Sequence, residues 1–269
     1  MIAFRRALRQ ICLVLTVSLL AACGGGGGDS TPVDPATQPT RDTSLRIQST
    51  GNQVNYPIHV YLPPGYATST KTYPVLYTMD AEWSFLPLST ELFEQHKEVI
   101  VISIGNSDGQ ATGQRWIDYQ MPGAAAHYRF LTQQVIPYVE ARYRIDPTRR
   151  TLIGHSMGGL FAGLVLLLED PAHRYFANYI SQDGSFWVQE DVVAGLEAAL
   201  AQRTQSVPAR LFIFSASQGD GNLSTVEPFR DLFVARNYQN LVYSYEAFPT
   251  THSGMVIPSF RRAIAELYP

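Results

Sequence analysis

Gly154-His155-Ser156-Met157-Gly158-Gly159 fits G-x-S-x-G, a spacing that can present a serine hydroxyl as a nucleophile. The pattern alone is common, but here an apolar stretch, Thr151–Gly154, precedes it and a strongly apolar helical stretch, Met157–Leu168, follows. A strand–turn–helix of that kind holds the serine in a sharp turn, and small residues two positions away on either side keep neighbouring chain from colliding. A serine hydroxyl is too weak an acid to attack at neutral pH unaided, so a base is required. Of six histidines, His252 follows the last apolar strand (LVYSYEAF) and precedes the final helical stretch, which suits a base. His59 falls in an early strand, His96 and His127 in helical stretches and His173 after a proline, while His155 adjoins the serine and is expected to pack. The acid that orients the base should follow the strand between nucleophile and histidine, which favours Asp220 in ASQGDGN. Asp183 in SQDGSFW, after the preceding strand, is the rival, and Glu246 is expected to be structural. Developing negative charge would be met by the backbone N–H of Met157 and by one from Asp80-Ala81-Glu82-Trp83, with Ala81 or Glu82 as the donor.

These residues need a frame that brings distant segments together. Ser44–Ser49 and Tyr56–Leu62 alternate in polarity and read as an antiparallel strand pair. Tyr73–Met79, Val99–Ile104, Thr151–Gly154, Phe176–Ile180, Arg210–Ser215 and Leu241–Phe248 read as buried strands. Helical spacing over Ala124–Tyr143, Met157–Leu168, Asp191–Gln202, Val226–Ala235 and Ile257–Leu267 alternates with them. The expected architecture is α/β: a mostly parallel, doubly wound sheet with an antiparallel N-terminal pair, in one domain spanning 44–269. Gly184–Pro208 is too short for a large cap, so an open cleft is expected.

The chain has 269 residues, 45% hydrophobic and 16% charged, enough for a sizeable core. A net charge of −3 argues against a general nucleic-acid binder. Both cysteines, Cys12 and Cys23, lie in the first 23 residues, so the rest can hold no disulfide and no cysteine nucleophile. Arg5, Arg6 and Arg9 precede an apolar run Ile11–Leu20 and then Ala21-Ala22-Cys23, the layout of a secretory signal peptide over 1–22. Leu20-Ala21-Ala22-Cys23 resembles the bacterial lipobox, which makes Cys23 the lipidated residue, with 23–43 as a Gly/Ser/Pro-rich tether. Gly24 after that cysteine resembles outer-membrane sorting. The expected location is therefore an exported lipoprotein at the outer membrane, facing the periplasm, with the lipid on Cys23 as its membrane contact.

Several segments go further: YPVLYTMDAEWSF, RWIDY, IPYVEARYRIDPTRRTLIGHSMGGLFA, SQDGSFW and FPTTHSGMVIPSFRRAI. Together they resemble the putative-esterase family of α/β-hydrolases, which includes esterase D-like enzymes and bacterial siderophore esterases. The resemblance implies an α/β-hydrolase fold and ester hydrolysis with no metal or organic cofactor. Ser156 and His252 carry over on GHSMGG and THSG, and Arg115 with Asp118 matches an R-x-x-D-Y element near the site. Ala81 departs from the glycine many relatives have, SQDGSFW departs from S-P-S-x-W, and the acid segment matches weakly.

Trp83, Trp116 and Trp187 all read as loop residues after strands, where such a sheet gathers its active site. With Phe85, Tyr119 and Phe186 they could line an aromatic acyl or aryl site, and Arg115 could meet an anionic or catecholic group. The leading expectation is a serine esterase working through a Ser-His-Asp triad and an acyl-enzyme on a small-molecule siderophore, aryl or acyl ester. An acyltransferase with the same residues, or a catalytically silent binding lipoprotein, are the competing classes.

Overall fold

A computed structural model describes residues 37–107 and 111–269. The signal-peptide, Cys23 and most of the tether expectations lie outside the described residues. Eight strands form one sheet in the order β1-β2-β4-β3-β5-β6-β7-β8. They are β1 (Thr40–Gln48), β2 (Asn55–Leu62), β3 (Tyr73–Met79), β4 (Ile100–Ile104), β5 (Ile145–His155), β6 (Asn178–Gln182), β7 (Ser206–Ala216) and β8 (Gln239–Phe248). β1 and β2 pair antiparallel, β2 meets β4 antiparallel, and every pairing from β4 to β8 is parallel. The expected doubly wound sheet with an antiparallel N-terminal pair is the one observed.

Alternation along each strand builds two cores. Leu152 faces one and Ile153 the other; Leu211 and Ile213 face the first, Phe212 and Phe214 the second. Helices α1 (Ala81–Glu94) and α8 (Val256–Leu267) cover the second core through Phe85, Leu88, Leu92, Phe260 and Ile264. The first core is covered by α3 (Gly123–Phe130), α4 (Ile136–Glu140), α5 (Met157–Leu168), α6 (Glu190–Arg203) and α7 (Leu223–Arg236). Every residue of α5 from Met157 to Leu167 is buried, which is why its sequence is apolar on all sides.

Two helices occupy segments read as loops: α1 begins at Ala81, directly after β3, and α2 (Ala111–Asp118) carries the R-x-x-D element. The single helix expected over Ala124–Tyr143 is instead α3, a π-helical segment Leu131–Val135 and α4. Pro137 enters α4 with no N–H to donate and a ring that crowds the preceding turn, so a widened turn there is the physical outcome. Between β6 and β7 stand only a short 3-10 turn, Phe186–Val188, and α6, so no separate cap is present among the described residues. No described helix is long and apolar enough to cross a membrane.

Candidate active site

Strand register delivers the chemistry. His155 on β5 pairs with Gln182 on β6, Gln182 with Phe214 on β7, and Ala216 with Phe248 on β8. The residues just past these pairs, Ser156, Asp183 and the β8–α8 loop with His252, therefore share one sheet edge. Backbone bonds from Ser156 N to Gln182 O (2.9 Å) and from Asp183 N to Phe214 O (2.8 Å) continue the ladders past the strand ends.

Ser156 sits at φ 61°, ψ −121°, a conformation a non-glycine residue seldom adopts. The glycines around it explain how the turn closes. A Cβ on Gly154 would lie 2.2 Å from the carbonyl carbon and oxygen of Gly158, and one on Gly159 2.9 Å from Gly184 Cα. One on Gly158 would stand 3.2 Å from Met79 Cβ and from Asp80 Oδ2, so the β5–α5 turn and the β3–α1 turn touch there. Met157 and Ala81 are the first residues of α5 and α1. Their N–H groups are among those a helix start cannot pair internally.

His252 Nδ1 lies 2.6 Å from Asp183 Oδ2. The carboxylate of Asp183 is fully buried and is also met by Ala216 N (2.9 Å), Ser215 Oγ (3.2 Å) and Asn222 N (3.1 Å). The expectation for Asp220 is corrected here. Asp220 is exposed, and its Oδ1 accepts the backbone N–H of His252 at 3.1 Å instead of meeting the ring. β7 ends at Ala216, and the tight turn around Gly219 (φ +61°) carries Asp220 past the strand end and into solvent. β6 ends at Gln182, two residues beyond the expected Ile180, which makes Asp183 the first residue off the strand.

His155 packs as expected. Its ring centroid is 4.3 Å from that of His252, and its Nε2 donates to His252 O at 2.9 Å. Burial, aided by the neighbouring His252 charge, pushes its pKa down to about 4, so it is neutral at neutral pH. Sequence reasoning missed Ser185, whose buried Oγ is 3.2 Å from Ser156 Oγ and whose N–H donates to Ser156 O at 2.9 Å. A serine just past Asp183 in SQDGSFW was the available signal.

A cavity of about 550 Å³ opens on Ser156 and His252, lined among others by Trp83, Leu88, Arg115, Ile153 and Val256. Arg115 reaches it with its charge already matched: Nε and Nη2 donate to Asp80 at 2.7 and 3.0 Å. Burial pushes the Asp80 carboxyl up while Arg115 opposes that shift. Of the expected aromatic lining, Trp83 is on the cavity wall, but Phe85, Tyr119 and Phe186 are buried in the cores. Trp187 stands outside the cavity, against Trp116. Asp118 does not reach the cavity; it accepts from Tyr56 Oη (2.7 Å) and Gln114 Nε2 (2.8 Å) and anchors α2 beneath Arg115.

Residues 49–245 match the model of the family described as Putative esterase. The chain is 27% identical over 168 residues to Ferri-bacillibactin esterase BesA of Bacillus subtilis, a match covering 52% of this chain and 57% of that protein. In fold it is similar to an IroE-like serine hydrolase from Shewanella oneidensis, with a TM-score of 0.71 at 22% identity over 86% of this chain and 80% of that one. The BES protein from Bacillus cereus gives a TM-score of 0.71 at 21% identity, covering 85% of this chain and 96% of its own. The chain therefore belongs to the Putative esterase family and has an α/β-hydrolase fold.

Proposed function

We propose that the protein is a serine carboxylic ester hydrolase. The observation that carries this reading is the strained Ser156 sharing one cavity with His252, whose ring is held by the buried Asp183. Ser156 Oγ attacks the ester carbonyl carbon as its proton passes to His252 Nε2. The carbonyl oxygen becomes an oxyanion that the N–H groups of Met157 and Ala81 stabilise. Collapse breaks the C–O bond, and the proton on His252 leaves with the alcohol. Water, deprotonated by His252, then attacks the acyl-enzyme and regenerates Ser156. Asp183 orients the Nδ1–H of His252 and stabilises the imidazolium. The siderophore ester named for the Bacillus subtilis relative makes a siderophore or aryl ester the substrate class to examine first.

The test is hydrolysis of p-nitrophenyl butyrate by the described domain. Ser156→Ala and His252→Ala are expected to lower the rate by about 10⁶-fold without unfolding the protein, with fluorophosphonate labelling of Ser156 lost in the first and strongly slowed in the second. Unchanged turnover in either variant would overturn the mechanism. The further reading, an outer-membrane lipoprotein, is supported by the sequence Leu20-Ala21-Ala22-Cys23. Cys23→Ser is expected to shift the full chain from the membrane to the soluble fraction of producing cells.

A further inference from the structure

Trp83 (56%), on the cavity wall, is one of five large apolar side chains exposed on α1, α2 and the turn after β6, the others being Leu86 (62%), Trp116 (41%), Ile117 (60%) and Trp187 (54%). They are connected. Trp83 and Leu86 lie one turn apart on α1; the Arg115 guanidinium is 5.5 Å from the Trp83 ring; Trp116 and Ile117 follow Arg115 on α2. Trp116 meets Trp187 edge to face, with centroids 6.4 Å apart and planes at 66°. The two tryptophans come from separate turns that are clamped together. Gln189 Oε1 accepts Met121 N at 2.7 Å, and its Nε2 donates to Met121 O at 2.8 Å. Trp187 is also tied to the reacting centre, because Ser185, two residues before it, bonds Ser156 through both Oγ and N–H.

We propose that Trp116 and Trp187 form a second binding subsite, a ledge outside the cavity that takes a flat aromatic group of the ester substrate. The proposal rests on the ester-hydrolase reading and deepens it: the scissile ester is internal, one side entering the cavity and the other lying across the ledge. An indole pair at 66° offers one ring face and one ring edge, which complements the quadrupole of a third ring and gives a saturated ring no such partner. Arg115, the residue before Trp116 on α2, is committed to Asp80, so its charge is matched before any substrate arrives and the ledge is offered to an uncharged ring. Exposed apolar surface continuous with a reactive cavity marks a binding site.

The experiment compares esters that differ only in a terminal methyl, cyclohexyl or phenyl group, placed first on the acyl chain and then on the alcohol. The wild type is expected to favour phenyl over cyclohexyl by about 5-fold in kcat/KM on one of the two sides. Trp116→Ala and Trp187→Ala should abolish that preference, lowering kcat/KM for the phenyl-ended ester about 5-fold more than for the methyl-ended one, while Trp187→Phe should restore most of it. Quenching of indole fluorescence by 4-phenylbutyrate, absent with 4-cyclohexylbutyrate and lost in the alanine variants, reads the ledge without turnover. A failure of the hydrolase reading is thereby told apart from a failure of the ledge. No phenyl preference on either side, or a preference that survives both alanine substitutions, would overturn the proposal. So would equal rates accompanied by loss of sedimentation with phosphatidylethanolamine–phosphatidylglycerol vesicles in those variants, which would make the patch a membrane contact.

Discussion

Asp183 and Asp220 both touch His252, but at different atoms, and the atom decides the role. Asp183 holds ring Nδ1, whereas Asp220 accepts the backbone N–H and is open to water. An exposed carboxylate on a backbone amide fixes a loop and cannot select an imidazole tautomer. In a p-nitrophenyl butyrate assay, Asp183→Asn is therefore expected to lower kcat by about 10⁴-fold. Asp220→Asn should stay within about 2-fold of the wild type, as most surface changes do. The reverse order of effects would return the acid to Asp220. Ser156 and His252 were legible in the sequence because each has a local signature, the glycine-flanked turn and the position between the last strand and last helix. Asp183 has a signature that reads as a turn: an aspartate before a glycine. Its role depends on where β6 stops, and single-sequence reasoning sets strand ends less well than strand existence.

At the scale of elements, the β8–α8 loop is pinned to β5 by the His155 ring, which packs at a tilt of 41° against the His252 ring and donates to its carbonyl. Burial of the ring, and not that hydrogen bond, is what disfavours the charged form of His155. Its pKa of about 4 in the folded protein lies below the ordinary histidine value of 6.5, so between these values the unfolded chain binds a proton that the folded one resists. Stability must then fall as pH drops from 6.5 to 4, by about 3 kcal/mol from this group. Urea denaturation across that range should show the loss, and His155→Phe, which keeps an aromatic ring there and removes the titration, should flatten part of the slope. An identical slope in the variant would assign the acid sensitivity elsewhere. Strands β3 to β8 were legible from apolar runs, most of them buried parallel strands that read as continuous hydrophobic stretches, and β1 and β2 from alternating polarity. α1 and α2 were not. α1 begins at the residue after Asp80, with no loop to announce it, and α2 is short and mostly polar. The apolar residues of α1 face both core and solvent, and α2 buries Gln114 and Asp118 while exposing Trp116 and Ile117, so neither shows a clean apolar period.

Across the whole molecule, the sheet edge collects the ends of β5, β6 and β7 and the β8–α8 loop at one place, and α1 and α2 close round it with their tryptophans outward. The sequence by itself determined the fold class and pointed to Ser156 and His252 as the candidate nucleophile and base. Those rest on patterns within about a dozen residues, where chain connectivity fixes the geometry. Only the tertiary structure decided which carboxylate reaches the histidine, that Arg115 is matched by Asp80, and which aromatic rings are core and which are surface. Each of these rests on contacts between residues 35 to 71 positions apart in the chain, set by strand register and helix packing. A change of two residues in where a strand ends moves a side chain several ångströms along the sheet edge, and no local pattern records that change.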